Sequence, residues 1–195
     1  MIQATTADAP VPAHRDHTVT LTTAQAVVRY LAAQTSVRDG RRQRLIPAML
    51  GIFGHGNVAG IGQALDEYQN ELPFVQGRNE QSLVHIAAAY AKASRRTATL
   101  AVTASIGPGA ANMITGAALA TVNRLPVLLF PGDTYATRRQ GPVLQQLEHP
   151  SAGDVSVNDC FRPVARFLSA SAAFAACQPG IPHTPPPACV AELPL

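Results

Sequence analysis

Between Leu45 and Asp133 the chain repeats one pattern: an apolar run, a glycine-containing turn, and a segment of helical periodicity. Leu45 to Phe53 is a near-continuous apolar run, as expected of a strand buried on both faces. Gly54-His55-Gly56-Asn57 then turns the chain into a helix that reaches about Tyr68. Leu72 to Gln76 reads as a second strand, and Gly77-Arg78-Asn79 leads into an alanine-rich helix from about Glu80 to Ser94. Thr97 to Thr103 reads as a third strand, broken by Gly107-Pro108-Gly109 and followed by a helix over Ala110 to Val122. Pro126 to Phe130 is the fourth strand, stopped by Pro131-Gly132-Asp133. Strand and helix in alternation require parallel strands joined by right-handed crossovers. The fold predicted is α/β, an open and mainly parallel sheet with helices on both faces.

This architecture says where chemistry would sit. Ligands of open α/β sheets bind at the carboxyl ends of the strands, and the turns at 54–56, 77 and 107–109 all fall on that edge. Outside the repeat, Thr22-Thr23-Ala24-Gln25 reads as a capping box that opens a first helix. Ala26, Val27, Tyr30 and Leu31 then share one helical face, and a basic loop around Gly40 ends the element. The expected organisation is an N-terminal extension over 1–17, one domain over 18–169, and a tail over 170–195. From Ser171 to Leu195 the chain holds six prolines and no Lys or Arg. That stretch reads as an extended, poorly ordered tail, foreign to a truncated domain.

Several function classes are disfavoured. The formal charge is only +3, and the arginines at 41, 42, 44, 95, 96, 138 and 139 form no basic stripe with interleaved aromatics, so no nucleic-acid partner is expected. The basic loop is read as solvated charge. No apolar run approaches the ~18 residues of a membrane span, and the N-terminus lacks a secretory pattern. Cys160, Cys177 and Cys189 are odd in number and lack metal-ligand spacing, which fits a reducing cytoplasm and assigns no metal ligand.

Three places could carry chemistry. Gly54-His55-Gly56-Asn57-Val58-Ala59-Gly60 resembles a dinucleotide fingerprint. It is one residue too long, however, and no acidic residue ends the second strand. Glu80 opens a helix, where the dipole alone could account for a carboxylate. Its position between two other glycine turns, on a helix apolar along Val84, Ala87, Ala88 and Ala91, suits acid–base work instead. In the third, Ser105 to Asn112, Gly107 and Gly109 permit close backbone approach and Pro108 stiffens the turn. The N–H groups at the following helix start could hold an anion. His85 reads as a packed helix residue, Ser105 has no hydrolase partners in a fixed motif, and His55 is the histidine best placed for substrate.

Taken together, Gly54-His55-Gly56-Asn57, Arg78-Asn79-Glu80 with Ala87 to Ala91, and Ser105-Ile106-Gly107-Pro108-Gly109-Ala110-Ala111-Asn112 resemble the N-terminal, pyrimidine-binding domain of thiamine-diphosphate enzymes of the acetolactate synthase type. The likeness runs over roughly Thr18 to Ser169. Within that family, Gly51 to Val58, Val143 to Glu148 and Asp159 to Val164 are most similar to the trihydroxycyclohexanedione hydrolases of inositol catabolism.

The resemblance implies thiamine diphosphate as cofactor and Glu80 as the catalytic carboxylate. Glu80 would share a proton with N1′ of the aminopyrimidine, so that the 4′ nitrogen can remove the thiazolium C2 proton. Gly107, Pro108, Gly109 and Asn112 would lie against the cofactor, and His55 and Asn57 near the substrate, a small molecule. It implies C–C cleavage that opens a cyclic dione, with an acetolactate synthase-like carboligase or a non-catalytic pyrimidine-binding subunit as alternatives. Family members are homo-oligomers that hold the diphosphate and Mg²⁺ on a separate, downstream domain carrying Gly-Asp-Gly. No Gly-Asp-Gly occurs in this chain. The chain by itself is therefore expected to hold an incomplete site, to be inactive, and to bind no cofactor.

Overall fold

A computed structural model of the chain describes residues 19–133, 144–148 and 156–168. The expectations for 1–17 and for the tail over 170–195 lie outside these residues. Four parallel strands form the central sheet: β3 (Met49–Gly51), β4 (Phe74–Gln76), β5 (Ala101–Ala104) and β6 (Leu128–Pro131), in the order β4-β3-β5-β6. Met49 pairs with both Phe74 and Ala101, and Thr103 lies opposite Phe130.

Successive strand residues point to opposite faces, and both faces are covered. Met49 and Ala101 pack with Val28 and Leu31 of α1 (Thr23–Ala33) and with Ala64 and Leu65 of α2 (Gln63–Glu67). Leu50 and Val102 face the other way, onto Leu83, Val84 and Ala87 of α3 (Glu80–Ala93). That side is completed by Met113, which separates α4 (Pro108–Asn112) from α5 (Ile114–Val122), and by Ala117 of α5. The α/β sheet with helices on both faces is as expected.

The elements are shorter than the apolar runs suggested. Pro47 has no N–H to offer a ladder, so β3 starts only at Met49, and the Leu45 carbonyl is taken by the Thr99 N–H at 2.8 Å. The helix expected to run to Tyr68 starts as a π-helical turn over Val58–Gly62 before α2. The helix expected over Ala110 to Val122 begins at Pro108 and is interrupted at Met113, whose side chain is fully buried.

The basic segment around Gly40 is not a loop but an antiparallel hairpin, β1 (Thr35–Arg38) and β2 (Arg41–Arg44). Asp39 and Gly40 both have positive φ, 52° and 75°, which is the type I′ geometry that an Asp-Gly pair favours between twisted strands. Its arginines are solvated, as expected, but on strands. The capping box forms as read: Thr22 Oγ1 accepts from the Gln25 N–H at 3.2 Å, and Gln25 Oε1 from the Thr22 N–H at 2.8 Å. Among the described residues no helix is long and apolar enough to cross a membrane.

The topology singles out one crevice. The chain leaves β3 toward β4 on one side and returns across β3 to β5 on the other. The loops leaving the carboxyl ends of β3 and β5 therefore diverge, which is where open α/β sheets bind ligands.

Candidate functional site

Glu80 is placed by its own helix start. Asn79 is the N-cap of α3, its Oδ1 accepting from the Ser82 N–H at 2.9 Å and from Ser82 Oγ at 3.0 Å. This fixes the first turn and aims the half-buried Glu80 across the sheet edge at α4. There Asn112 Nδ2 donates to Glu80 Oε2 at 2.8 Å. The other oxygen, Oε1, takes no hydrogen bond from the described residues. It faces Gly109, where an added Cβ would come within 3.2 Å of it and within 2.3 Å of Ser105 Oγ. The structure thus joins three of the sequence candidates, Glu80, Gly109 and Asn112, in one contact group.

Pro108 occupies the first helical turn of α4, where its missing N–H costs nothing. Gly107 before it has φ 61° and ψ −115°, a conformation that side chains rarely adopt. A Cβ there would also lie 1.8 Å from the Gln145 carbonyl oxygen. In this structure the chain's own segment 144–148 makes the close approach that Gly107 permits. The same segment covers the first glycine turn, since Gln145 Oε1 accepts from the His55 N–H at 3.0 Å.

His55 stands beside this crevice with its Nδ1 buried, and its carbonyl accepts from the Ile106 N–H at 3.1 Å. Asn57 lies two residues on, and its Nδ2 is within hydrogen-bond distance of Thr103 Oγ1 (3.0 Å), the Ala104 carbonyl (3.0 Å) and the Phe130 carbonyl (2.9 Å). The amide ties the turn after β3 to the carboxyl ends of β5 and β6, and so fixes the loop that carries His55. His85 is half-buried on α3 and pairs with Gln81 at 3.3 Å. Ser105 is buried between Gly54 and Gly109, its hydroxyl donating to the Ile106 carbonyl at 3.2 Å.

Residues that the sequence reading had not assigned to the site close it from above. Gly132 lies against Ile106, and Asn158 Nδ2 donates to the Gly132 carbonyl at 3.0 Å. Asn158 sits on a 3₁₀ turn, Val157–Phe161, that opens with a second capping box: Ser156 Oγ accepts from the Asn158 N–H, and Asp159 accepts from the Ser156 N–H at 2.9 Å. That N–H and the Arg162 guanidinium, 2.7 Å away, hold the Asp159 carboxyl below the usual range. The Ser-x-x-Asp spacing was a legible signal for this turn; the tie to Gly132 was not.

Residues 47–152 match the model of one protein family, described as "Thiamine pyrophosphate enzyme, N-terminal TPP binding domain". The chain is 53% identical over 150 residues to the 3D-(3,5/4)-trihydroxycyclohexane-1,2-dione hydrolase of Geobacillus thermodenitrificans, covering 77% of this chain and 24% of that protein. The proteins of the same name from Bacillus thuringiensis and Bacillus cereus are each 51% identical over 150 residues, with 77% of this chain and 23% of theirs covered. The chain therefore spans about a quarter of the length of these relatives. The family match takes in just over half of the chain and every residue of the Glu80 group, and the chain belongs to the thiamine pyrophosphate enzymes, through their N-terminal TPP binding domain.

Proposed function

We propose that this domain supplies Glu80 as the pyrimidine-activating carboxylate of a thiamine-diphosphate hydrolase that opens a trihydroxycyclohexanedione ring by C–C cleavage. The observation that carries the reading is the division of labour at Glu80, where Asn112 pins Oε2 and Oε1 is left without a protein donor beside a glycine. A carboxylate so held can accept an N–H from a ring nitrogen without reorganising.

The residues fit the group. Thiamine diphosphate, when bound, supplies the electron sink for cleavage next to a carbonyl. Glu80 Oε1 holds the proton shared with N1′ of the aminopyrimidine, and Asn112 Nδ2 keeps the carboxylate in that rotamer. Gly109 has no side chain to crowd Ser105 Oγ and Glu80 Oε1, while Gly107 and Pro108 shape the turn that presents it. His55 faces the substrate, and Asn57 acts as a positioning residue for it. The substrate assignment follows the names of the relatives. Mg²⁺ and the diphosphate, a homo-oligomeric assembly, and a cytoplasmic setting belong to the same reading, with metal and diphosphate held by residues outside this domain.

The test is a chimera in which the matched 150 residues of the Geobacillus thermodenitrificans relative are replaced by those of this chain. The chimera is expected to open the dione with thiamine diphosphate and Mg²⁺, and Glu80→Gln is expected to lower kcat by ~100-fold or more. The isolated chain should bind thiamine diphosphate too weakly for calorimetry; micromolar affinity would contradict the need for outside residues.

A further inference from the structure

Among the described residues, three side-chain polar atoms are buried with no hydrogen-bond partner: His55 Nδ1, Gln146 Oε1 and Asn158 Oδ1. They are not scattered. All three lie on segments that converge at the carboxyl edge of the sheet, around Ile106 and Gly132. The Ile106 N–H donates to the His55 carbonyl at 3.1 Å. A Cβ on Gly56 or on Gly132 would come within 2.6 Å of Ile106 Cγ2. Asn158 hangs from the Gly132 carbonyl at 3.0 Å, and Gln145, next to Gln146, holds the His55 N–H at 3.0 Å.

Buried polar groups in folded proteins almost always find a partner in protein or ordered water, so several that lack a protein partner at one edge mark a place for polar groups from outside the chain. The chemistry of these three is specific. The Asn158 amide is oriented by its Nδ2 bond to Gly132, so the atom left over is a carbonyl oxygen, which can only accept. Gln146 Oε1 is likewise an acceptor. His55 Nδ1 donates or accepts according to tautomer. A ligand that satisfies two acceptors and one switchable nitrogen must carry several donors. Hydroxyl groups do; the carboxylate and ketone oxygens of a 2-keto acid do not.

We infer that His55, Gln146 and Asn158 form a subsite for the hydroxyl groups of a cyclic polyol. This rests on the proposed function and deepens it, because it makes these residues the ones that select a polyhydroxylated ring over an acceptor-only keto acid. Glu80 Oε1 and Ser105 Oγ both lie against Gly109, and Ser105 lies against Gly54 beside His55, so activation by Glu80 and selection by these three fall to different but neighbouring residues.

The test uses the full chain without cofactor, so that its outcome is separate from that of the Glu80 reading. Saturation-transfer NMR is run with myo-inositol as the donor-rich probe and pyruvate as the acceptor-only probe. The polyol signal should exceed that of pyruvate, persist in Gln146→Glu, which keeps an acceptor, and fall at least about 5-fold in Gln146→Met. The urea midpoint of Gln146→Met should not drop below that of the unmodified chain, since an unpartnered acceptor has been removed. His55→Phe should weaken the polyol signal as well. Absence of a polyol signal, an equal pyruvate signal, or undiminished polyol binding by Gln146→Met would overturn the subsite, and an unfolded Gln146→Met would assign Gln146 to the fold instead. Loss of the polyol signal alongside an active chimera would remove the subsite and leave the Glu80 reading standing.

Discussion

At Glu80 the two carboxylate oxygens have different surroundings, set by residues 29 and 32 positions along the chain: Asn112 binds Oε2, while Oε1 faces Gly109 and takes no hydrogen bond from the described residues. The sequence offered Glu80 as a helix-start carboxylate among glycine turns, and that much was legible. Which oxygen is fixed depends on a contact between α3 and α4, which no local pattern encodes. Gly107 is the other case where one residue decides. Its φ of 61° and the 1.8 Å separation between an added Cβ and the Gln145 oxygen make Gly107→Ala destabilising by about 2 kcal/mol or more, read as a lowered urea midpoint. An unchanged midpoint would mean that segment 144–148 does not pack there.

Asp159 gives a pH-dependent counterpart at the same scale. Its carboxyl is held low by the Ser156 N–H and then by Arg162, so the folded state favours the ionised form. The stabilisation is complete above the unfolded carboxyl value of about 4 and is lost as pH falls through the lower folded value. Unfolding curves between pH 5 and 3 should therefore show the unmodified chain losing more stability than Asp159→Asn. Parallel losses would show that the second capping box carries no weight.

The elements were legible in kind and order but not in length. Period and punctuation revealed four strands and the helices between them because the two central strands, β3 and β5, bury both faces, as Met49 and Leu50 do on opposite sides. The hairpin over Thr35–Arg44 was missed because its strands are exposed and rich in arginine, so no apolar alternation announced them; the Asp39-Gly40 pair was the available signal. Caps set the working geometry. Asn79→Ala removes the acceptor for Ser82 and should cost about 1 kcal/mol of stability in chemical unfolding. A change within 0.2 kcal/mol would indicate that the start of α3 is held by packing alone.

For the whole molecule, the sheet order β4-β3-β5-β6 explains why these residues meet. Parallel strands bring the turns after β3, β4 and β5 to one edge, where Glu80, Gly109 and Asn112 meet and where the segments carrying His55, Gln146 and Asn158 also converge. The family was legible from the three turns taken jointly, and from no one of them alone. The chain covers about a quarter of the relatives' length; on the proposed function the domain would supply pyrimidine activation and ring selection, with diphosphate and metal held by residues outside it. The central claim is most directly tested by the steady-state rate of the chimera with and without Glu80→Gln. An active chimera whose kcat falls by ~100-fold or more on that substitution, with its unfolding midpoint unchanged, is the predicted result. A Glu80→Gln chimera that turns over the dione at the unsubstituted rate would contradict the account.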